Sequence, residues 1–217
     1  MDRVTIQVGS YGVNCTILFE GSRAWVVDPG AEGARIAALL KQRGLSLAGI
    51  LLTHAHFDHV GGVEALQDAW PELPVFVGME DAVMFGHPFN QCPPDYPLAP
   101  KPRNLLDISE GTVPDIDKGT VPRVGTVPGM EVIRTPGHTP GGVSLLFRNF
   151  PGAPLLLSGD TLFAGSVGRT DFPGGSMAAL MRSLGELSKL PADTVVVPGH
   201  GPETTIGKEI RSNPFLA

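Results

Sequence analysis

The chemistry of this chain is concentrated in Thr53-His54-Ala55-His56-Phe57-Asp58-His59, where three imidazoles and a carboxylate fall within six residues. The apolar run Gly49-Ile50-Leu51-Leu52 directly before it reads as a strand. In extended backbone, side chains two apart share a face, so His54 and His56 point the same way. Asp58 and His59 lie beyond the turn that must follow and reach a different point in space. One loop can therefore serve two neighbouring metal ions.

Three other places put the same residue types behind apolar runs. Met130–Arg134 leads to Thr135-Pro136-Gly137-His138, Leu155–Leu157 to Ser158-Gly159-Asp160, and Thr194–Val197 to Pro198-Gly199-His200. Five of the six histidines thus follow an expected strand end, with Asp58 and Asp160 in similar positions. Layered α/β sheets bind ligands in the loops beyond strand ends, so the four loops can converge on one edge. Gly137, Gly159 and Gly199 let the backbone turn closely around such a site. Five imidazoles and two carboxylates exceed the needs of one tetrahedral ion and suit two ions sharing a bridging carboxylate. Nitrogen and oxygen donors without thiolate favour Zn²⁺, with Fe or Mn as alternatives. The sixth histidine, His87, has no ligand-type neighbour in sequence and reads as a loop histidine.

The elements that must position these residues alternate. Strands are expected at 4–8, 15–19 and 24–27, the first two joined as a hairpin. A helix follows over 32–43, with Ile36, Leu39 and Leu40 on one face and Gly44 as its stop. Strand 49–52, a helix from Val63 to Trp70 and strand 75–77 continue the α/β order. Residues 86–128 form a Pro/Gly-rich loop and insertion region. Six prolines lie between Pro88 and Pro102, and Gly-Thr-Val-Pro recurs at 111–114, 119–122 and 125–128. The repeats read as short strand-and-turn units of a lid or edge insertion, their spacing being too irregular for a solenoid. Strands 130–134, 143–147 and 155–157 precede a helix over 176–190, with Met177, Leu180, Met181, Leu184 and Leu187 as its expected buried stripe. Strand 194–197 and a short helix at 205–211 complete the chain.

Length and composition bound the reading. The 217 residues fit a single domain spanning 1–217, large enough to bury roughly 70% of its unfolded surface without disulfides. Sixteen basic residues stand against 22 acidic ones, and no Lys/Arg block appears, which argues against a nucleic-acid partner. Cys15 and Cys92 lack CxxC spacing and suit a reduced compartment. Without a signal-peptide core or a membrane-span-length apolar run, the chain is expected to be soluble and cytoplasmic, with no membrane partner.

His54-Ala-His-Phe-Asp-His59, Thr-Pro-Gly-His138, Gly-Asp160 and Pro-Gly-His200 together resemble the metallo-β-lactamase superfamily. Ser158-Gly-Asp-Thr-Leu-Phe163, Gly168-Arg-Thr-Asp-Phe172 and Pro198-Gly-His-Gly-Pro-Glu-Thr-Thr-Ile-Gly207 are similar to its single-domain, glyoxalase II-like (hydroxyacylglutathione hydrolase-like) branch. The resemblance implies an αββα sandwich, two mixed β-sheets flanked by helices. It places one metal on His54, His56 and His138, a second on Asp58, His59 and His200, and Asp160 between them. It implies a hydrolase of small-molecule thioesters, S-2-hydroxyacyl-thiol to 2-hydroxy acid plus thiol, in which a hydroxide between the ions attacks the carbonyl and Asp58 helps to position it. Arg169 is the candidate cation for an anionic substrate, with pairing to Asp171 as its structural role. The helical extension that carries the glutathione site in two-domain relatives is not expected here. The rival readings are a mono-iron persulfide dioxygenase-like oxidoreductase, a lactonase and a non-catalytic metal-binding protein.

Overall fold

In the computed structural model, residues 1–108 and 127–216 are described. The Gly-Thr-Val-Pro repeats, and the lid expected of them, lie outside those residues except for Val127 and Pro128. The first sheet runs β1 (Asp2–Val8), β2 (Val13–Glu20), β3 (Arg23–Val27), β4 (Ser46–Leu51), β5 (Pro74–Val77) and β6 (Asn104–Asp107), each hydrogen-bonded to the next. Its first two pairings are antiparallel hairpins and the rest are parallel. Helix α1 (Gly33–Gln42) crosses between β3 and β4; α2 (Phe57–Val60) and α3 (Val63–Ala69) cross between β4 and β5.

The second sheet has the order β13 (Thr204–Thr205), β12 (Val195–Pro198), β9 (Leu155–Gly159), β8 (Val143–Phe147), β7 (Met130–Arg134). A two-stranded ribbon, β10 (Leu162–Phe163) and β11 (Ser166–Val167), follows β9, and helices α4 (Met177–Leu187) and α5 (Ile206–Ser212) complete the layer.

The alternation of side chains along each strand explains why the sheets stack. In β3, Ala24 and Val26 join Ile36 and Leu40 of α1 in one core, while Trp25 and Val27 point the opposite way. There they meet Leu145, Leu155 and Leu157 of the second sheet. The far face of that sheet, Leu146, Leu156 and Val196, packs on Leu180, Leu184 and Leu187 of α4. Strands apolar at nearly every position are what a sheet buried on both faces requires. Three cores between four layers give the helix–sheet–sheet–helix sandwich that the resemblance implied.

Two expectations are corrected. Met177 and Met181 are not part of the buried stripe of α4: they are 44% and 42% exposed. Met181 follows Leu180 by one residue and so sits about 100° around the helix from it. Ser183 takes the inner position instead, donating to the Pro136 carbonyl at 2.7 Å. The second correction is β6, a strand paired parallel to β5 that lies wholly within the 86–128 stretch expected to be loop and insertion. Among the described residues, no helix is long and apolar enough to cross a membrane.

Leu184→Ala should destabilise the protein by about 2–5 kcal/mol, because it opens a cavity in a closed core. Met181→Ala should cost well under about 1 kcal/mol. Urea denaturation of both variants checks the asymmetry.

Candidate metal centre

The ligand loops leave the ends of β4, β7, β9 and β12. After β4 the backbone stays extended through His56 (φ −64°, ψ 149°) and then turns into α2, which carries Asp58 and His59. This change of period splits the opening stretch. The donors group as His54, His56 and His138; as His54, His59 and Asp160; and as Asp58, His59 and His200. Within each group the ligand atoms lie within 4.8 Å of one another. All seven expected ligands are therefore brought together. His200 is the least enclosed, with 26% of its side chain accessible.

Outer hydrogen bonds set which ring nitrogen faces inward. His59 Nδ1 lies 3.0 Å from Asp28 Oδ2, His138 Nδ1 lies 2.7 Å from the Arg169 carbonyl, and His200 Nδ1 lies 3.0 Å from the Tyr11 carbonyl. These oxygens only accept, so each Nδ1 carries a proton, and in the neutral ring each Nε2 keeps its lone pair. Thr53 Oγ1 donates to Asp28 Oδ2 at 2.7 Å and is thereby left to accept from His54 Nδ1 at 3.1 Å. His54 Nε2 is buried with no partner, as is Asp160 Oδ1.

With the rings neutral, the inward nitrogens of His59, His138 and His200 and the carboxylates of Asp58 and Asp160 are thus acceptors facing acceptors, while His56 Nδ1 is placed to donate to His138 Nε2. His59 Nε2 is 3.4 Å from Asp160 Oδ1, and Asp160 Oδ2 is 3.5 Å from His138 Nε2 and 3.6 Å from His200 Nε2. Asp58 Oδ2 lies 3.3 Å from His200 Nε2, and His56 Nδ1 lies 2.8 Å from His138 Nε2. Buried lone pairs pointed at one another are stable only with positive charge between them. Nitrogen and oxygen donors without thiolate fit a divalent metal.

The titration of these groups follows from the same crowding. Burial, with the charge of His59 and the other imidazoles, holds His54 far below its ordinary value. Burial and then His138 bring His56 down to about 3. Burial opposes ionisation of Asp160 and Asp58, yet the charge of His59, together with the other imidazoles and their hydrogen bonds, keeps both below the usual carboxylate range. His59 goes the other way: burial pushes it down, but Asp160, Asp28 and Asp58 hold it well above normal. His200 is also raised: burial pushes it down, but the Asp58 hydrogen bond, the Asp160 charge and the Tyr11 carbonyl together overcome that. Protons on His59 and His200 balance the carboxylates wherever a cation does not.

Three supporting residues escaped the sequence reading. Asp28 opens the Asp-Pro-Gly turn directly behind β3. It is buried, adopts φ +49°, and also accepts from the Thr53 amide at 2.8 Å. Holding a non-glycine residue in left-handed backbone is costly, and here it aims one carboxylate at both ends of the 53–59 ligand loop. Asp81 accepts from Thr139 Oγ1 at 2.7 Å and from the Gly141 and Ala55 amides, tying the His54 loop to the His138 loop. Asn90 accepts from the Phe57 amide and donates to the Ala55 carbonyl. The available signal was an Asp-Pro-Gly placed at a strand end on the same edge as the histidines. Gly199 is required by close approach, since a Cβ there would collide with Asp160 Oδ1 and come within 2.7 Å of His59 Cε1.

The Arg169 guanidinium makes two 2.6 Å bonds to Asp171 and lies 4.0 Å above the Phe172 ring. Its carbonyl, not its charge, reaches the donor cluster. His87 stacks on Phe89 with ring centroids 4.3 Å apart, away from the donors.

The chain belongs to the metallo-β-lactamase superfamily, whose family model matches residues 8–200. It is 36% identical over 216 residues to a probable metallo-hydrolase, YqgX, of Bacillus subtilis, covering 96% of this chain and 94% of that one. It is 33% identical over 224 residues to the hydroxyacylglutathione hydrolase GloC of Haemophilus influenzae, covering 97% and 96%. Among solved structures, TTHA1623 in a di-iron-bound form superposes with a TM-score of 0.82 at 36% identity, over 98% of this chain and all of that one.

Asp28→Asn should weaken metal binding by about 10–100-fold, as loss of an outer hydrogen bond to a ligating histidine generally does. Competition with a chromophoric chelator measures it. Because binding must displace protons from His59 and His200, apparent affinity should rise with pH through and above their ordinary value of 6.5. Calorimetry in buffers of different ionisation enthalpy should detect proton release on binding.

Proposed function

We propose that this member of the metallo-β-lactamase superfamily is a metal-dependent hydrolase of small-molecule thioesters, converting an S-2-hydroxyacyl-thiol to a 2-hydroxy acid and a thiol. The observation that carries the reading is the convergence of seven acceptor side chains with Asp160 in their midst, its two oxygens facing different histidines. In this reading His54, His56 and His138 hold one divalent ion, Asp58, His59 and His200 hold the second, and Asp160 serves both. Zn²⁺ suits the donor set. Bound there, such ions lower the pKa of water to near neutrality and polarise a carbonyl.

The chain's own residues do the positioning. Asp28 and Thr53 keep His59 and His54 in the tautomer that presents Nε2. Asp58 stays ionised and orients water on the side of the cluster nearest His200. The burial of the donors keeps bulk water away and strengthens each charge interaction inside. A thiolate leaves readily, so the chain needs no dedicated acid for that step. The GloC relative, a hydroxyacylglutathione hydrolase, supports thioester over other acyl substrates. The rival one-iron oxidoreductase uses a single donor set, whereas here Asp58, His59 and His200 form a second complete one.

The test is thiol release from S-lactoylglutathione, with lactones and glutathione persulfide assayed alongside and metal content measured on the same sample. His56→Ala should lower bound metal and reduce turnover by about a hundredfold or more. One iron per chain with oxygen uptake on the persulfide would sink the hydrolase reading.

A further inference from the structure

A cavity of about 390 Å³ opens beside the donor cluster, with His56 in its wall. Tyr11, Phe57, Phe89 and Phe172 supply half of the remaining lining, with Cys92, Pro173 and the uncharged amides Asn90 and Gln91. The rings line the same cavity from four segments of the chain. Tyr11 meets Phe57 edge-on at 5.8 Å between centroids, and Phe172 stands 5.3 Å from His56. Tyr11 and Phe89 remain 51% and 39% exposed, an unusual amount of aromatic area left to water beside a reactive centre. Among the described residues that line the cavity there is no Lys, Arg, Asp or Glu. The guanidinium stacked on Phe172 is already neutralised by Asp171.

Size and charge together select an occupant. Pockets that enclose a drug-sized molecule begin at about 300 Å³, well beyond what a lactoyl group fills. Glutathione carries carboxylates and an ammonium group, which would lose water here without any opposite charge to pair with. The apolar half of the substrate therefore belongs in this cavity, with the charged thiol carrier outside it.

We infer that the cavity is the acyl subsite and takes 2-hydroxyacyl groups bearing a large apolar substituent, aryl or long alkyl, in preference to lactoyl. The inference rests on the thioester-hydrolase reading above and adds the identity of the acyl class. Packing of the substituent among Phe57, Phe89 and Phe172 holds its carbonyl next to His56, so the aromatic wall discriminates between acyl groups while the donors perform the same chemistry on each.

The experiment keeps the thiol constant. The metal-loaded protein is assayed on S-mandeloylglutathione and S-lactoylglutathione, each rate corrected for its hydroxide-catalysed background. The mandeloyl ester should show a kcat/KM at least about tenfold higher, the discrimination that a few well-packed carbons provide. Phe89→Ala, at a half-exposed position outside the three cores, should reduce that ratio several-fold, and Phe89→Leu should recover part of it. Calorimetry provides a second readout: the thioether S-benzylglutathione should bind more tightly than S-methylglutathione, and Phe89→Ala should narrow the gap. Equal or lower kcat/KM for the mandeloyl ester would overturn the acyl assignment, as would a preference that Phe89→Ala leaves intact. Hydrolysis of neither ester overturns the hydrolase reading beneath it, whereas hydrolysis of both without preference overturns the acyl assignment alone.

Discussion

One carboxylate governs the geometry of the centre. Asp28 accepts from the Thr53 amide, from Thr53 Oγ1 and from His59 Nδ1. Through Thr53 its influence extends to His54, whose Nδ1 can only donate to a hydroxyl already committed to Asp28. Two neighbouring imidazoles, their ring centroids 4.1 Å apart, are thereby fixed in one tautomer by a single buried group. The arrangement is expensive in isolation, since it concentrates lone pairs and negative charge in a nearly dry space. Positive charge in that space offsets the cost, supplied by protons on His59 and His200 or by bound cations, so protonation and metal binding compete for the same lone pairs.

The sandwich exists to bring strand ends together at that point. The parallel pairing of β3 with β4, and of β9 with β12, places Asp28, the His54 loop, Asp160 and His200 beyond strand ends that run the same way. Where β12 passes β9 the register shifts, so that Val197 pairs with Leu157 but Pro198 pairs with Gly159. The offset falls immediately before Asp160 on one strand and two residues before His200 on the other. The irregularity is therefore placed where two ligands must be aimed, as strand irregularities near functional sites often are.

Much of this was legible in the sequence because the signals were periodic or clustered. Strands apolar on both faces, such as Ala24–Val27 and Leu155–Leu157, announce a sheet covered on both sides, and the ligand motifs stand directly behind such runs. What stayed hidden depended on tertiary context. Asp28 looks like any aspartate before Pro-Gly until the His59 ring is seen beside it. Asp81 sits in a short 3₁₀ turn (Met79–Met84) whose only distinction is the pair of loops it joins. Met177 and Met181 fit the helical stripe as well as their leucine neighbours do, and only the position of the sheet decides which face is covered. Two-residue strands such as β13 have no pattern to read. The aromatic cavity draws Tyr11, Phe57, Phe89 and Phe172 from four separate segments, and no local window contains that combination.

His138 and His200 are oriented by the main-chain carbonyls of Arg169 and Tyr11, not by those residues' side chains. A carbonyl survives substitution of the side chain it belongs to. The rim of the cavity, where Tyr11 stands and where Arg169 leans on Phe172, is thus mutationally separable from the grip on the ions. Substrate range in such a scaffold can drift one rim residue at a time, each intermediate still a working metalloprotein.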